Sequence, residues 1–568
     1  MRVTLSRSKN AEQVYITKAY RNENGKSTSK IFKKLGTMAS LLPEHDNDRE
    51  KVLAWAREQA KIYTAAEKKE QLEVPFELSE GKQLAINEQH VYQGGYLYLQ
   101  KIYHELGLDE ICRSVSKKYR LKYNLSDILS GLIYARVLSP SSKRASHRYL
   151  QGLLEKPSYQ EQDLYRSLDV LDAESDRIQS LLYEKHGHCR NTSVLYYDCT
   201  TYFFEIEQEK GMRKYGKSKE HRPNPIVKMG LFLDGDGFPL AFTVFPGNES
   251  EQPSLIPLEK RILKDYDLSK FVICTDAGLA SAANRRFNDR ENRSFVVTQS
   301  LKILKSHLRE WALDPEGWSL GDDTETYNLS KIDETIYQDH VFYKERWIHE
   351  NGFEQRMIVT YSPKYKNYQR EIRNRQVERA EKMIDRGKET KNQNSPKRFI
   401  EQLSFTVDGE IAEQEKRYLN EEKVKDEERY DGFYAVCTTL EDDASEILKI
   451  NKRRWEIEES FRIMKNDFKS RPAYVQTDAH IKAHFFTCFL ALLVYRTLEK
   501  KLDDKYTVSE ITKGLKDMMF YKVKGIGYAP CYTRTKFTDD LHKVFDFRTD
   551  KQFISNKTMK KIIRQTKN

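Results

Sequence analysis

At 568 residues the chain is too long for one compact core, which points to two to four domains. Charged residues make up 32% and hydrophobic residues 38%, with mean hydropathy −0.77; the 11% of aromatics excludes general disorder in so polar a chain. The net charge of +11 suits a polyanionic partner, although its distribution says more than its sum. The seven cysteines are scattered and form no C-x-x-C pair, which excludes a disulfide framework and a zinc module and favours a reducing cytoplasm. The cluster His186, His188 and Cys189 therefore reads as a surface turn. The N-terminus lacks the apolar core of a signal peptide, and the apolar run Phe485 to Val494 is too short to span a bilayer, so it reads as a buried core helix and no membrane is implied.

In chain order, residues 11–36 alternate around Asn24-Gly25 and predict a hairpin, followed by a helix over 48–71. Together they make an N-terminal hairpin-plus-helix region, 1–75. Residues 76–190 read as helical, with SDILSGLIYARVL stopped at Ser139-Pro140. At 191 the pattern turns to strands. VLYYDCTTYFFE is rich in strand formers, and KMGLFLD and PLAFTVF flank the turn Gly235-Asp236-Gly237 and must be antiparallel. Then come a helix, LIPLEKRILKDY, the strand KFVICTD, the helix SAANRRFND and the strand RSFVVTQS. Three antiparallel strands followed by helix–strand units give an α/β, ribonuclease-H-like order over 191–301. Residues 302–429 break the alternation and read as a mainly β insertion. They include a basic stretch, Lys364 to Arg398, with 12 Lys/Arg against 5 acids, equally consistent with DNA contact and with a solvated helix. Residues 430–500 return to strand and helix as the second part of the core. The region 501–568 is basic: residues 550–568 hold six Lys/Arg and one acid.

Asp198 lies inside an apolar strand, where a carboxylate is costly unless paired, protonated or bound to a cation. Asp276 ends an apolar strand, a position that projects into a cleft beyond the sheet. In the order above, the first and fourth strands lie side by side, so both aspartates can face one point. The third element is NKRRWEIEESFRIMKNDFKS. Ile457, Phe461, Met464 and Phe468 form its apolar face, and Glu458, Arg462, Lys465 and Lys469 repeat that spacing one residue later, with Arg454 a turn upstream. The plain alternative is an amphipathic helix laced with ion pairs. The functional reading is a half-buried acid that binds metal, with cations that grip phosphate. Three converging carboxylates suit hard divalent cations, and two such ions serve in-line phosphoryl displacement without a Ser, Cys or His nucleophile.

These residues resemble the DDE transposases of bacterial insertion sequences, in the group marked by Y-x2-R-x3-E-x6-K. The matching positions are Asn451, Arg454, Glu458 and Lys465; Asn451 departs from the usual Tyr. YYDCTTYFFE, with Thr200 completing D-x-T, resembles the first-aspartate block. SKEHRPNP, GLFLDGDGFPLAFTVFPGNESE and FVICTDAGLAS resemble the blocks up to the second acid, and YDGFYAVCTTL and RWEIEESFRIMK those around the third. SPSSKRASH, from Ser139 to His147, also looks like family sequence. The resemblance implies Asp198, Asp276 and Glu458 as catalytic and metal-binding residues, two Mg²⁺ per site with Mn²⁺ able to substitute, and DNA-contacting roles for Arg454, Lys465 and Asn451. Arg462 shares that helix face. Lys217, Lys219 and Arg222, in the basic loop between the first two strands, extend the DNA track. The resemblance further implies terminal-repeat binding in the N-terminal helical region, nicking, strand transfer to target DNA, and a homodimer that pairs two ends in the bacterial cytoplasm. It also allows a base to be flipped onto an aromatic of the insertion such as Trp318 or Trp347, although a core role is the plainer reading of each. A structure-selective nuclease on the same core, and a catalytically silent DNA-binding protein, are the competing readings.

Overall fold

The computed structural model describes residues 1–7, 11–21, 27–69, 83, 85–268, 270–321, 325–350, 352–386, 399–405 and 414–568. Two compact units divide the chain, Met1–Glu88 and Gln89–Asn568. In the first, strands β1 (Arg2–Arg7), β2 (Glu12–Arg21) and β3 (Ser27–Thr37) form an antiparallel sheet. The hairpin predicted around residues 11–36 is the β2–β3 pair; its turn, with Asn24-Gly25, lies outside the described residues. Strand β1, which the sequence reading did not separate, adds to its edge. Helix α1 (Arg49–Lys69) buries Val52 and Ala56 against Val14, Met38 and Leu41.

After a short strand, Val91–Gln93, the second unit continues with helices, among them α2 (Leu125–Leu138) and α3 (Lys143–Leu150). Asn124 caps α2 through its side-chain oxygen and Ser142 caps α3, satisfying first-turn amides that would otherwise lack partners. The sheet follows: β4 (Val194–Phe203), β5 (Ile226–Leu233), β6 (Pro239–Pro246), helix α4 (Leu255–Asp265), β7 (Phe271–Thr275), helix α5 (Ala282–Phe287) and β8 (Arg293–Gln299). Strands β4, β5 and β6 pair antiparallel, β7 joins β4 in parallel, and β8 joins β7 in parallel. The first and fourth strands are therefore neighbours, as the sequence order required.

Beyond β8 the sheet continues. Strands β9 (Phe342–Glu350) and β10 (Phe353–Tyr361) form a hairpin, and helix α6 (Pro363–Arg386) leads toward β11 (Phe433–Thr438). Strand β11 inserts antiparallel between β8 and β10, giving a nine-stranded mixed sheet with the two-residue strand Ser319–Leu320 at its far edge. The stretch 302–429 thus adds strands to the same sheet and carries a 24-residue helix besides. Its basic run lies on α6 as far as Arg386; residues 387–398 fall outside the described ones. Trp318 is fully buried in the core of this extension, where its indole N–H donates to the Asp314 carbonyl at 2.9 Å, whereas Trp347 is exposed.

Side-chain alternation decides the two faces of the sheet. Leu195, Tyr197 and Cys199 of β4 pack with Leu258 and Ile262 of α4. Tyr196 and Tyr202 face the opposite way, into the main core. That second face is covered by helix α7 (Ala444–Lys452), helix α8 (Trp455–Arg462) and helix α9 (Asp478–Lys501). Helix α9 is long and apolar enough to cross a membrane by length and composition, but 89% of its apolar window is buried inside the protein, the core role read from Phe485 to Val494. Phe485 packs on the Tyr202 ring at 4.6 Å, and Phe489 on Phe242 of β6 at 5.1 Å.

Candidate active site

Asp198 shares the parity of Tyr196 and Tyr202, so it is placed on the face of β4 that looks toward α8. Cys274 of β7 belongs to the same core face, and Asp276, two residues later and just past the strand end, follows it. The parallel register that pairs Tyr196 with Cys274 brings the two aspartates, each two residues further on, to the same level of neighbouring interior strands. Helix α8 brings Glu458 to the same cleft. Its Ile457 and Phe461 are buried, so Glu458 sits at the rim of the packed face. The outcome is one open cleft of about 520 Å³ lined by Asp198, Asp276 and Glu458, with Lys219, Arg454 and Lys465 among the cations around them.

The three acids are not equivalent. Asp198 is buried, and burial pushes its carboxyl up to about 6, with Lys219 pulling the other way and Asp276 adding to the rise. Its Oδ1 accepts the Cys199 amide at 2.7 Å. Asp276 is half-buried and its Oδ1 accepts the Leu279 amide at 3.0 Å, which fixes the turn beyond β7. Glu458 is more than half exposed and pairs with Arg454 at 3.2 Å, one turn back. Among the described residues, the group of acidic and histidine ligand atoms that all lie within 4.8 Å of one another is Asp539, His542 and Asp550; the cleft acids stand farther apart than that. Asp539 and Asp550 are already paired with Arg534 and Arg548.

Lys219 is the cation nearest the strand acids. Its ammonium lies 3.8 Å from Asp198 Oδ1 and 3.9 Å from Glu251 Oε2, and donates to the Cys199 carbonyl. Burial opposes its charge, but Asp198, Glu251 and Asp276 together raise its pKa. Lys465 is half-buried against Tyr202, its pKa lowered to about 8 by desolvation and then by Lys219. It occupies a π-helical turn, Ile463–Asp467, that follows α8 directly. The sequence spacing predicts one continuous helix through Lys469. The wider turn instead shifts the register after Arg462 and ends in a left-handed Lys469, φ 43°.

Of the other predicted residues, Arg462 lines the cleft but is held by Glu459 and Asp467. Arg222 lies over the Phe203 ring at 4.2 Å and, like exposed Lys217, does not line the cleft. Asn451 is also elsewhere: it is buried and donates to the Tyr434 hydroxyl at 2.9 Å, tying α7 to β11. Three residues escaped the sequence reading: Glu251, Glu220 and Arg471. Glu220 contacts Arg471 and lies 3.6 Å from Lys465, so it organises the cationic wall. Glu251 stands inside PGNESEQPS, where only its acidity beside a strand end could have marked it.

Residues 193–494, more than half of the chain, match the family described as the transposase DDE domain. The chain belongs to the DDE transposases. It is accordingly an enzyme of DNA transposition, a form of DNA recombination. No curated protein matches it. Among solved structures, a cryo-EM structure of the piggyBac transposase synaptic complex with hairpin DNA is similar over 83% of this chain and 85% of that one, at 9% identity and a TM-score of 0.32. The Mos1 transposase paired-end complex with left transposon end is similar over 42% of this chain and 66% of that one, at 13% identity and a TM-score of 0.14. Both likenesses are loose, and the assignment of this DDE transposase rests on the family match, which spans both the strand acids and the glutamate helix.

Proposed function

We propose that this transposase binds the terminal repeats of a bacterial insertion sequence, nicks the element ends and joins them to target DNA at the cleft of Asp198, Asp276 and Glu458. The observation that carries this reading is the cleft itself: two strand acids and one helix acid line it together, with Lys219, Arg454, Lys465 and Arg471 around them. The donor set suits divalent metal. All three acids offer hard oxygen ligands, and the Lys219 ammonium already rests among Asp198, Glu251 and a main-chain carbonyl, a place that favours positive charge. Asp198, Asp276 and Glu458 would hold two Mg²⁺, with Mn²⁺ as substitute. Metal held there would supply activation of the attacking oxygen and neutralisation of the leaving one.

The chain's own residues do the rest. Lys465 and Arg471, held by Glu220, present cations to a phosphodiester at the cleft wall. Arg454, bridged to Glu458, keeps the helix acid oriented and offers its remaining donors to the strand. Arg462 contributes at the cleft rim, and Lys217 and Arg222 extend the positive track. The core is ribonuclease-H-like in this reading, two copies pair the element ends, and the enzyme works on DNA in the bacterial cytoplasm.

The test is cleavage and joining of element-end DNA. Wild-type protein with Mg²⁺ or Mn²⁺ should nick the ends and transfer them to a plasmid, and Asp198→Asn, Asp276→Asn and Glu458→Gln should each remove both activities while retaining DNA binding in EDTA. Normal cleavage by Glu458→Gln refutes the third ligand. Nicking with no joined product on pre-cut ends identifies a nuclease instead.

A further inference from the structure

A second basic site adjoins the cleft. A cavity of about 540 Å³ opens between the segment leading into α3 and the chain that follows the π-helical turn. It is lined by Arg136, Lys143, Lys469, Arg471 and His484, and no acidic residue lines it among the described residues. Arg471 lines both this cavity and the catalytic cleft, so the two share a wall.

Lys143 is the anomaly. It is only 2% exposed, yet its ammonium has no hydrogen-bond partner among the described residues. Its neighbours offer no negative charge. Burial, with Arg136 acting in the same direction, lowers its pKa to about 7. Arg136 is itself buried and spends its guanidinium on the carbonyls of Phe468 at 3.1 Å and Ser141 at 3.3 Å, leaving Nε without a partner. His484 donates through Nε2 to the Ser470 carbonyl, 3.0 Å away, and burial, with Lys143 and Arg136 beside it, lowers its pKa. An unpaired buried ammonium is costly, and nothing inside the protein offsets it here. Lys143 is also the first residue of α3, which Ser142 caps, so the positive end of the helix dipole points to the same place. A cavity with buried cations, a helix N-terminus and no acid calls for an anion.

We propose that this cavity is a phosphate-binding site that seats one phosphate of the DNA strand leaving the catalytic cleft. The phosphate chemistry follows from the cavity; the assignment to DNA rests on the proposed function and on the shared Arg471 wall. It gives a role to SPSSKRASH, the motif that the cleft left unused.

The test uses the full chain in EDTA, so that no cleavage is needed. Binding of mixed-sequence duplex and single-stranded oligonucleotides is measured against salt for wild type, Lys143→Met and Lys469→Asn. Lys143→Met removes the buried charge at nearly constant volume; Lys469→Asn changes an exposed residue whose left-handed backbone Asn tolerates, so at least one variant keeps the fold. Each variant should bind several-fold more weakly, with a log–log salt slope shallower by about 0.7–0.9, the value of one phosphate contact. A parallel titration with inorganic phosphate at matched ionic strength should raise the melting temperature of wild type and not of Lys143→Met. Unchanged slopes together with an unchanged phosphate response overturn the site. Loss of the phosphate response with unchanged DNA slopes overturns the DNA assignment and leaves a free phosphate anion as ligand. A protein inactive on element ends that keeps the Lys143-dependent slope retains the cavity and loses the proposed function; the converse loses the cavity alone.

Discussion

The cleft has two halves built on different principles. The strand half, Asp198 and Asp276, sits on adjacent parallel strands in the middle of a nine-stranded sheet, each carboxylate anchored to a main-chain amide. The helix half, Glu458 with Arg454 and Lys465, rides on a short helix, an ion pair and a π turn. Strand positions are fixed by ladder hydrogen bonds on both sides. The helix is placed by what its apolar face packs on and by the Arg496 bond to Ser460 Oγ, and its acid is exposed, held by one ion pair. Under the proposed function, this division would give metal and DNA a rigid floor and an adjustable wall.

The largest effect should come from the chemistry. Neutralising either aspartate is expected to lower Mg²⁺-dependent cleavage by at least about 10²–10³-fold, the scale of removing one preorganised group from a charge-stabilising site. Glu458→Gln should fall as far with Mg²⁺, and if the helix half adjusts, Glu458→Asp should recover part of the rate with Mn²⁺ whereas Asp198→Glu, in its packed strand, should not. Equal rescue at both positions breaks the contrast. Packing comes next. Phe485 joins α9 to Tyr202 of β4, and Phe485→Ala should destabilise the protein by about 3–5 kcal/mol in denaturant titration. A loss below 1 kcal/mol would mean that the two layers are not coupled through this ring.

The strand half should also carry a pH signature. Glu259 of α4 is fully buried, bonded to Asn288 at 3.0 Å and 3.4 Å from Arg293 at the start of β8; burial raises its pKa to about 7 despite both partners. A folded-state value above the unfolded one, near 4.5, gives stability that is fully present below about pH 4.5 and is lost as pH rises toward 7. Glu259→Gln should flatten that fall, on the order of 3 kcal/mol, in urea melts across the window. A wild-type profile that is already flat there contradicts it. The smallest effect belongs to the helix half: a double-mutant cycle on Arg454 and Glu458 should give a coupling below about 1 kcal/mol in stability, because the Glu458 carboxylate is exposed to solvent. Coupling well above that would make the helix half as rigid as the floor.

Much of this architecture is legible without coordinates. Alternation and the turn at Gly235–Gly237 specify β4, β5 and β6; an apolar run with an acid inside it marks β4, and one that ends in an acid marks β7. What stayed hidden depends on partners distant in sequence. The β insertion keeps a local strand signal, but that signal cannot say that β11 inserts between β8 and β10 of the same sheet. Asn451 falls on the signature spacing, yet packing turns it to Tyr434 and away from the cleft. Lys143 looks like any basic residue of a polar segment, and only tertiary packing buries it.

Local pattern determined which residues alternate, which acids stand in apolar strands, and which face of the helix carries Glu458, because period and propensity act over a few residues. Tertiary structure alone decided how far apart the three acids rest, that Lys219, Glu251, Glu220 and Arg471 join them, and that the helix widens into a π turn at Lys465. Those outcomes are set by burial and by charges brought together from segments more than two hundred residues apart, which no local pattern records.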